Sequence, residues 1–189
     1  MRKTSELLGR VAVTMALIGV AGIASYGQKG IPTNLEVTGH LGMVTGIGSH
    51  GSFGGSVGGP VTDRLLLSGD LSYIPLGGGS VTMFGSTTTT SSRAFNFNGN
   101  LQYQFDAKRA VVPYAGAGLG FLHSSFSVSR SGAGSFTAGG SSTDLYFNAG
   151  GGFRYYVKER WGFKPEFMMF AGPNTYVRFA GGMFYQFGE

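Results

Sequence analysis

From Phe95 to Phe105 the chain reads FNFNGNLQYQF, which puts Phe95, Phe97, Leu101, Tyr103 and Phe105 on one side of an extended strand and Asn96, Asn98, Asn100, Gln102 and Gln104 on the other. A period of two with one apolar and one amide face excludes an amphipathic helix here. A second copy stands near the end, where Val177, Phe179, Met183, Tyr185 and Phe187 alternate with Tyr176, Arg178, Gly182 and Gln186. The 35 glycines in 189 residues far exceed the ~7% of an ordinary chain, and 14% aromatic against 12% charged residues is unlike disorder. Cysteine is absent, which removes thiolate metal sites, CxxC redox chemistry and disulfides.

Arg2, Lys3 and Arg10 precede an uncharged run, Val11 to Ala24, that ends in small residues. This is the pattern of an export signal, and the run is too short for a membrane helix of ~20 residues. Cleavage after Ala24 and cleavage after Gly27 both satisfy the small-residue rule. The expected organisation is a signal peptide over 1–27 and one domain over 28–189. The positive balance left beyond the leader is small and dispersed, and it predicts no nucleic-acid partner. No later apolar run reaches spanning length, so a mature chain that enters a membrane must do so as strands closed into a barrel.

The same alternation gives eight strands, near 35–45, 52–62, 65–75, 94–106, 112–123, 143–157, 161–171 and 176–187. Each is close to the ~9–11 residues that a tilted membrane strand needs. Short charged turns (Thr62–Arg64, Asp106–Val111, Lys158–Arg160) alternate with stretches rich in Gly, Ser and Thr at 76–93 and 124–142, which read as long outer loops. With the apolar side facing lipid, Phe167 joins Phe179, Phe187 and the Phe95–Phe105 set on that side. Glu36, Asp70, Arg154, Lys164, Glu166 and Arg178 all take the lumen side, as does His40. A lipid-facing Arg or Lys at mid-depth costs about 2–4 kcal/mol, so this segregation supports the register. An arginine in place of Leu101 is accordingly expected to be far worse than one in place of Gln102. An eight-stranded barrel is narrow enough for side chains to fill, so these seven residues are expected to form a paired network, with Glu166 flanked by Lys164 and Arg154. The fold expected is all-β, an eight-stranded antiparallel transmembrane up-and-down barrel with a filled polar lumen.

VPYAGAGLGF (Val112–Phe121), NAGGGFRYYVKERWGFKPEF (Asn148–Phe167) and the aromatic last strand resemble the small eight-stranded outer-membrane β-barrels of Gram-negative bacteria, the OmpA-transmembrane, OmpX and opacity-protein type. The resemblance implies a monomer in the outer membrane, in contact with its lipid and lipopolysaccharide. It also implies that the barrel-insertion machinery reads the aromatic end of the last strand, here Phe187, which Gly188 and Glu189 follow.

The chemical motifs are few. Gly46 to Gly51 matches GxGxxG, but no helix follows to hold a phosphate, so it reads as a turn. Gly116, Gly118 and Gly120 alternate on the lumen side and are expected to make room for bulky neighbours such as Tyr114 or Tyr156. His50 lies in the first outer connection with no acid nearby. His123 and Ser125 form a His-x-Ser pair on the lipid side at the outer rim, where an enzyme cutting lipid A acyl chains would need them. Phe126 follows where such enzymes carry Asn, and Asp144 has lumen parity, so no acid orients the base. No catalytic residue, metal or cofactor is expected. The reading is a non-enzymatic outer-membrane barrel with a structural or surface-interaction role, adhesin- or opacity-like, its lumen plugged and its extracellular ligand unidentified. A narrow small-solute channel is the alternative, and a lipid A hydrolase stands behind it.

Overall fold

The computed structural model describes residues 35–106, 110–132 and 134–188. The signal segment and its cleavage site lie outside them. Among the described residues every regular element is a strand: β1 (Leu35–Thr45), β2 (His50–Pro60), β3 (Leu65–Met83), β4 (Ser86–Gln104), β5 (Val111–Ser131), β6 (Phe136–Lys158), β7 (Trp161–Ala171) and β8 (Tyr176–Phe187). Each pairs antiparallel with its sequence neighbours, and β1 closes on β8 from Leu35↔Phe187 to Thr45↔Val177, so the sheet is a closed barrel. Closure leaves no unpaired edge inside a bilayer.

The alternation of the sequence becomes the two faces of this barrel. Phe95, Leu101, Tyr103, Phe105, Phe167, Phe179 and Phe187 are exposed on the outside, with Phe97 half-buried among them. Asn96, Asn98, Asn100 and Gln102 are buried inside. Gly118 and Gly120 lie where a Cβ would collide with the side chains of Asn100 and Asn98 on β4. They make room for those amides, and it is Gly152 that gives way to the Tyr114 hydroxyl. The first four residues of the GxGxxG segment, Gly46 to Ser49, are the β1–β2 connection, with Gly46 and Gly48 at φ of 107° and 98°. His50 is the first residue of β2 and not part of that loop. β2 stops at Pro60, where Val61 and Thr62 donate to the Leu65 carbonyl and form the turn.

The largest departure from the sequence reading is in the two long outer segments. Most of 76–93 and 124–142 is strand, because β3 to β6 run 19, 19, 21 and 23 residues against 11 or 12 for the other four. Thr82↔Thr87, Thr87↔Ser131 and Arg130↔Phe136 keep the four strands paired to their tips. They rise beyond the barrel rim as one four-stranded wall of roughly 20 Å, at about 3.3 Å per residue. The β3–β4 hairpin turns on Phe84 and Gly85, both at positive φ (49° and 72°), the two-residue geometry whose twist suits a hairpin. Threonine and the other β-branched and aromatic side chains are good strand formers when paired, and that tendency outweighs the loop-like polarity of the segments here.

The wall inverts the polarity of the barrel. A register shift between Pro75 and Gly77 turns Val81 and Met83 to the inward side, level with Thr88 and Ser86. Phe126, Val128 and Phe136 share that side. The outward side carries Ser80, Thr82, Thr87, Thr89, Ser91, Ser127, Ser129 and Thr137. Below the rim the outer surface is apolar; above it the outward side is Ser, Thr and Gly, and the exposed apolar side chains are on the inward side beside Thr88, Thr90 and Arg130. The change of the outward side from apolar to hydroxyl-bearing residues marks the level at which the bilayer ends.

Candidate functional site

The lumen is filled in three layers. At the end where β1 begins and β8 ends, Glu36 on β1 faces Arg154 on β6 across the barrel. Arg154 Nε donates to Glu36 Oε2 at 2.8 Å and Nη2 to Oε1 at 3.1 Å, while Nη2 also reaches Gln102 Oε1 at 2.8 Å. Lys164 Nζ donates to the same Glu36 Oε1 at 3.2 Å and Gln186 Nε2 to Oε2 at 3.1 Å. Arg154 is fully buried, at 0% exposure. The Tyr114 ring lies under both cations, 4.6 Å from the Arg154 guanidinium and 5.2 Å from Lys164 Nζ. Desolvation of this group is offset by bidentate pairing, a second cation and the ring face together.

In the middle layer Arg178 on β8 bridges two acids, donating to Asp70 Oδ1 at 2.8 Å and to Glu166 Oε1 at 3.0 Å. Its Nη1 also reaches Ser72 Oγ at 2.6 Å, and Ser72 and Asn98 donate to Asp70. His40 Nδ1 stands 3.7 Å from Asp70 Oδ2. Glu166 therefore does not face Lys164 and Arg154, as expected from strand neighbours. Both of those cations turn to Glu36, and Glu166 is held by Arg178 and by the Tyr114 hydroxyl at 2.8 Å. Tyr114 thus ties the two layers, its ring to one and its hydroxyl to the other.

The outer layer is apolar: Val44, Ile74, Ala94, Leu122, Tyr146, Met168, Phe170 and Tyr176 are buried together. Tyr176 stacks on Phe170 with centroids 4.5 Å apart and meets Tyr146 edge-on at 5.3 Å. Asn96 donates to the Tyr176 hydroxyl, which joins this cap to the amides below.

Tyr114, Ser72, Gln102 and Gln186 are members of the network that charge parity does not single out. Their signal was inward parity itself, which applies to uncharged polar residues as much as to charged ones. At the outer rim His123 Nδ1 pairs with Thr143 Oγ1 at 2.8 Å, and Arg93 Nε donates to Ser125 Oγ at 3.3 Å. The two members of the His-x-Ser pair thus engage different partners. Among the described residues no group of three or more His, Asp or Glu side chains is placed to hold a metal.

An apolar girdle, a closed ring of eight strands and an interior packed with neutralised charge define a small barrel that crosses a bilayer by its strands. The chain belongs to the outer membrane protein beta-barrel domain family, which matches residues 9–172, and its place is the outer membrane. Solved structures share the fold. The N-terminal barrel of Pseudomonas aeruginosa OprF is 18% identical with a TM-score of 0.57, covering 83% of this chain and 99% of that one. Neisserial surface protein A gives 16% and 0.57, with 82% and 96% covered. Ail, the attachment invasion locus protein of Yersinia pestis, gives 11% and 0.57, with 83% and 99% covered. No curated protein matches significantly.

Proposed function

We propose that this protein is a non-enzymatic, sealed outer-membrane barrel whose role is surface interaction through the wall formed by β3 to β6. The observation that carries the reading is the inverted polarity of that wall, whose inward side holds Val81, Met83, Phe126 and Phe136 in water and whose tip holds Phe84 at 99% exposure. Val81 and Met83 on β3 and Phe126 and Phe136 on β5 and β6 share this side with Thr88 and Arg130 between them, and water-facing apolar groups gathered on one side mark a contact surface. The three filled layers of the lumen support a plugged barrel. In this reading the chain is exported by its 1–27 leader and inserted as a monomer through the aromatic end of β8 at Phe187. Its girdle then meets outer-leaflet lipopolysaccharide. The likeness to the attachment invasion locus protein is compatible with it.

The test is adherence of cells displaying the chain to an apolar surface. Val81→Ser with Met83→Ser, Phe84→Ser and Phe126→Ser should abolish it while the purified barrel keeps its heat-modifiable mobility. Unchanged adherence would remove the wall from the function.

A narrow channel is the second reading, and one observation favours it. A small polar void lined by Thr38, His40, Ser56, Asp70, Lys164 and Glu166 lies between the two charged layers, and Thr38 Oγ1 on its lining is buried without a protein partner. Planar-bilayer recording decides between the two, because a sealed barrel gives no steps.

A further inference from the structure

The four wall strands are in register, so their outward residues form rows that can be followed up through the bilayer boundary. Leu71, Phe97, Phe121 and Leu145 make one row of apolar side chains. The next row up is Tyr73, Phe95, His123 and Thr143, with Tyr73 packed between Phe53 and Phe95 at 5.1 and 5.0 Å. Aromatic rings with a polar edge belong at the level where hydrocarbon gives way to headgroups. The row above holds Pro75, Arg93, Ser125 and Ser141. From there to the tips the outward side of the wall is Ser, Thr and Gly. Arg93 is the one charged residue on it among the described residues, and no described carboxylate pairs with it.

Arg93 is held in place without being neutralised. Its Nε is spent on Ser125 Oγ at 3.3 Å, which fixes the plane of the guanidinium and leaves the two terminal nitrogens for another acceptor. One strand over, His123 is fixed in the same way through Nδ1 by Thr143, which leaves Nε2 without a protein partner among the described residues. A guanidinium with both terminal nitrogens available matches a phosphate, and a lattice of hydroxyls one strand apart matches a saccharide.

We propose that Arg93, Ser125, His123 and Thr143 form a binding site for the phosphorylated sugar headgroup of an outer-leaflet glycolipid. The phosphate sits on Arg93, and the sugar lies against Ser91, Ser127 and Ser141. The acyl chains continue down over Phe97, Phe121 and Leu145, so the site is continuous with the surface that already meets lipid. The inference rests on the membrane level used for the proposed function, but not on what the wall binds.

The experiment uses the purified chain in neutral phosphatidylcholine nanodiscs containing a small fraction of a bis-phosphorylated lipid A glycolipid or its dephosphorylated form, with bound lipid counted by native mass spectrometry. The wild type should retain the phosphorylated form about tenfold better than the dephosphorylated one, and Arg93→Gln should lose that preference. Arg130→Gln, which removes a cation from the inward side of the same wall, should keep it. Equal retention of the two lipids by the wild type, or an undiminished preference in folded Arg93→Gln, would overturn the site. If Arg93→Gln does not fold, the comparison of the two lipids on the wild type decides alone. Adherence and conductance of the same preparations report on the proposed function separately.

Discussion

Glu36 holds two buried cations and Glu166 shares one, and that difference sets what each carboxylate is worth. Glu36→Ala leaves Arg154 and Lys164 buried beside each other with no counter-charge, and should cost about 3–5 kcal/mol in urea unfolding from lipid vesicles. After Glu166→Ala, Arg178 still has Asp70 and Ser72, and the loss should be nearer 1–3 kcal/mol, mostly that of the Tyr114 hydroxyl and one charged hydrogen bond. Equal losses would mean that the two layers are not separate. Which face a charged residue takes follows from a period of two and is legible in the sequence. Which charge it meets is set by the stagger of the closed barrel, because Glu36 and Arg154 are 118 residues apart and on opposite walls. The same geometry alters the expected contrast at Leu101 and Gln102. Leu101→Arg still places a cation against lipid, at about 2–4 kcal/mol. Gln102→Arg is not the mild control, because Gln102 is the acceptor for Arg154 and a second guanidinium would stand in its place.

The strands show where the sequence reading stopped short and why. β1, β7 and β8 are bounded by turns and charges that follow directly from composition. The upper halves of β3 to β6 escape that reading, because Ser125-Phe126-Ser127-Val128-Ser129 and Ser80-Val81-Thr82-Met83 alternate as strictly as Phe95–Phe105 but with the polar residue outward. A search for apolar-out strands takes that phase for a loop. The hairpin tip carries a separate cost. Phe84 sits in the left-handed region that Gly or Asn adopts easily, fully exposed, which is an expensive place for a bulky side chain unless the ring is needed outside. Phe84→Asn should therefore strengthen the hairpin, by about 1 kcal/mol of local opening free energy, seen as slower amide exchange over residues 80–88. Adherence of displaying cells should fall at the same time. Faster exchange, or an undiminished adherence, would show that the ring holds the turn instead of serving a contact.

Taken across the whole barrel, the proposed seal makes the ionic layers and the apolar cap obstructions in series, and a path for ions is only as open as its narrowest layer. In the sealed-barrel reading the cap, where Phe170, Tyr176 and Tyr146 pack with Val44, Ile74, Ala94, Leu122 and Met168, would exclude ions by dryness, and the layers below would exclude them by filling the cross-section with paired charge. Removing either alone leaves the other. Phe170→Ala with Tyr176→Ala should hollow the cap and still give no conductance steps in a planar bilayer. Glu36→Ala with Arg154→Ala and Lys164→Ala takes out one acid together with both of its cations, which avoids stranding a buried charge. It should also stay closed, because Arg178, Asp70, Glu166 and the cap remain above it. Steps should appear only when the cap substitutions are joined to this set and to Arg178→Ala with Asp70→Ala, in barrels whose heat-modifiable mobility shows that they are folded. Ion steps in the wild type, or in either partial set, would mean that the polar void beside His40 already connects the two sides and would put the channel reading first.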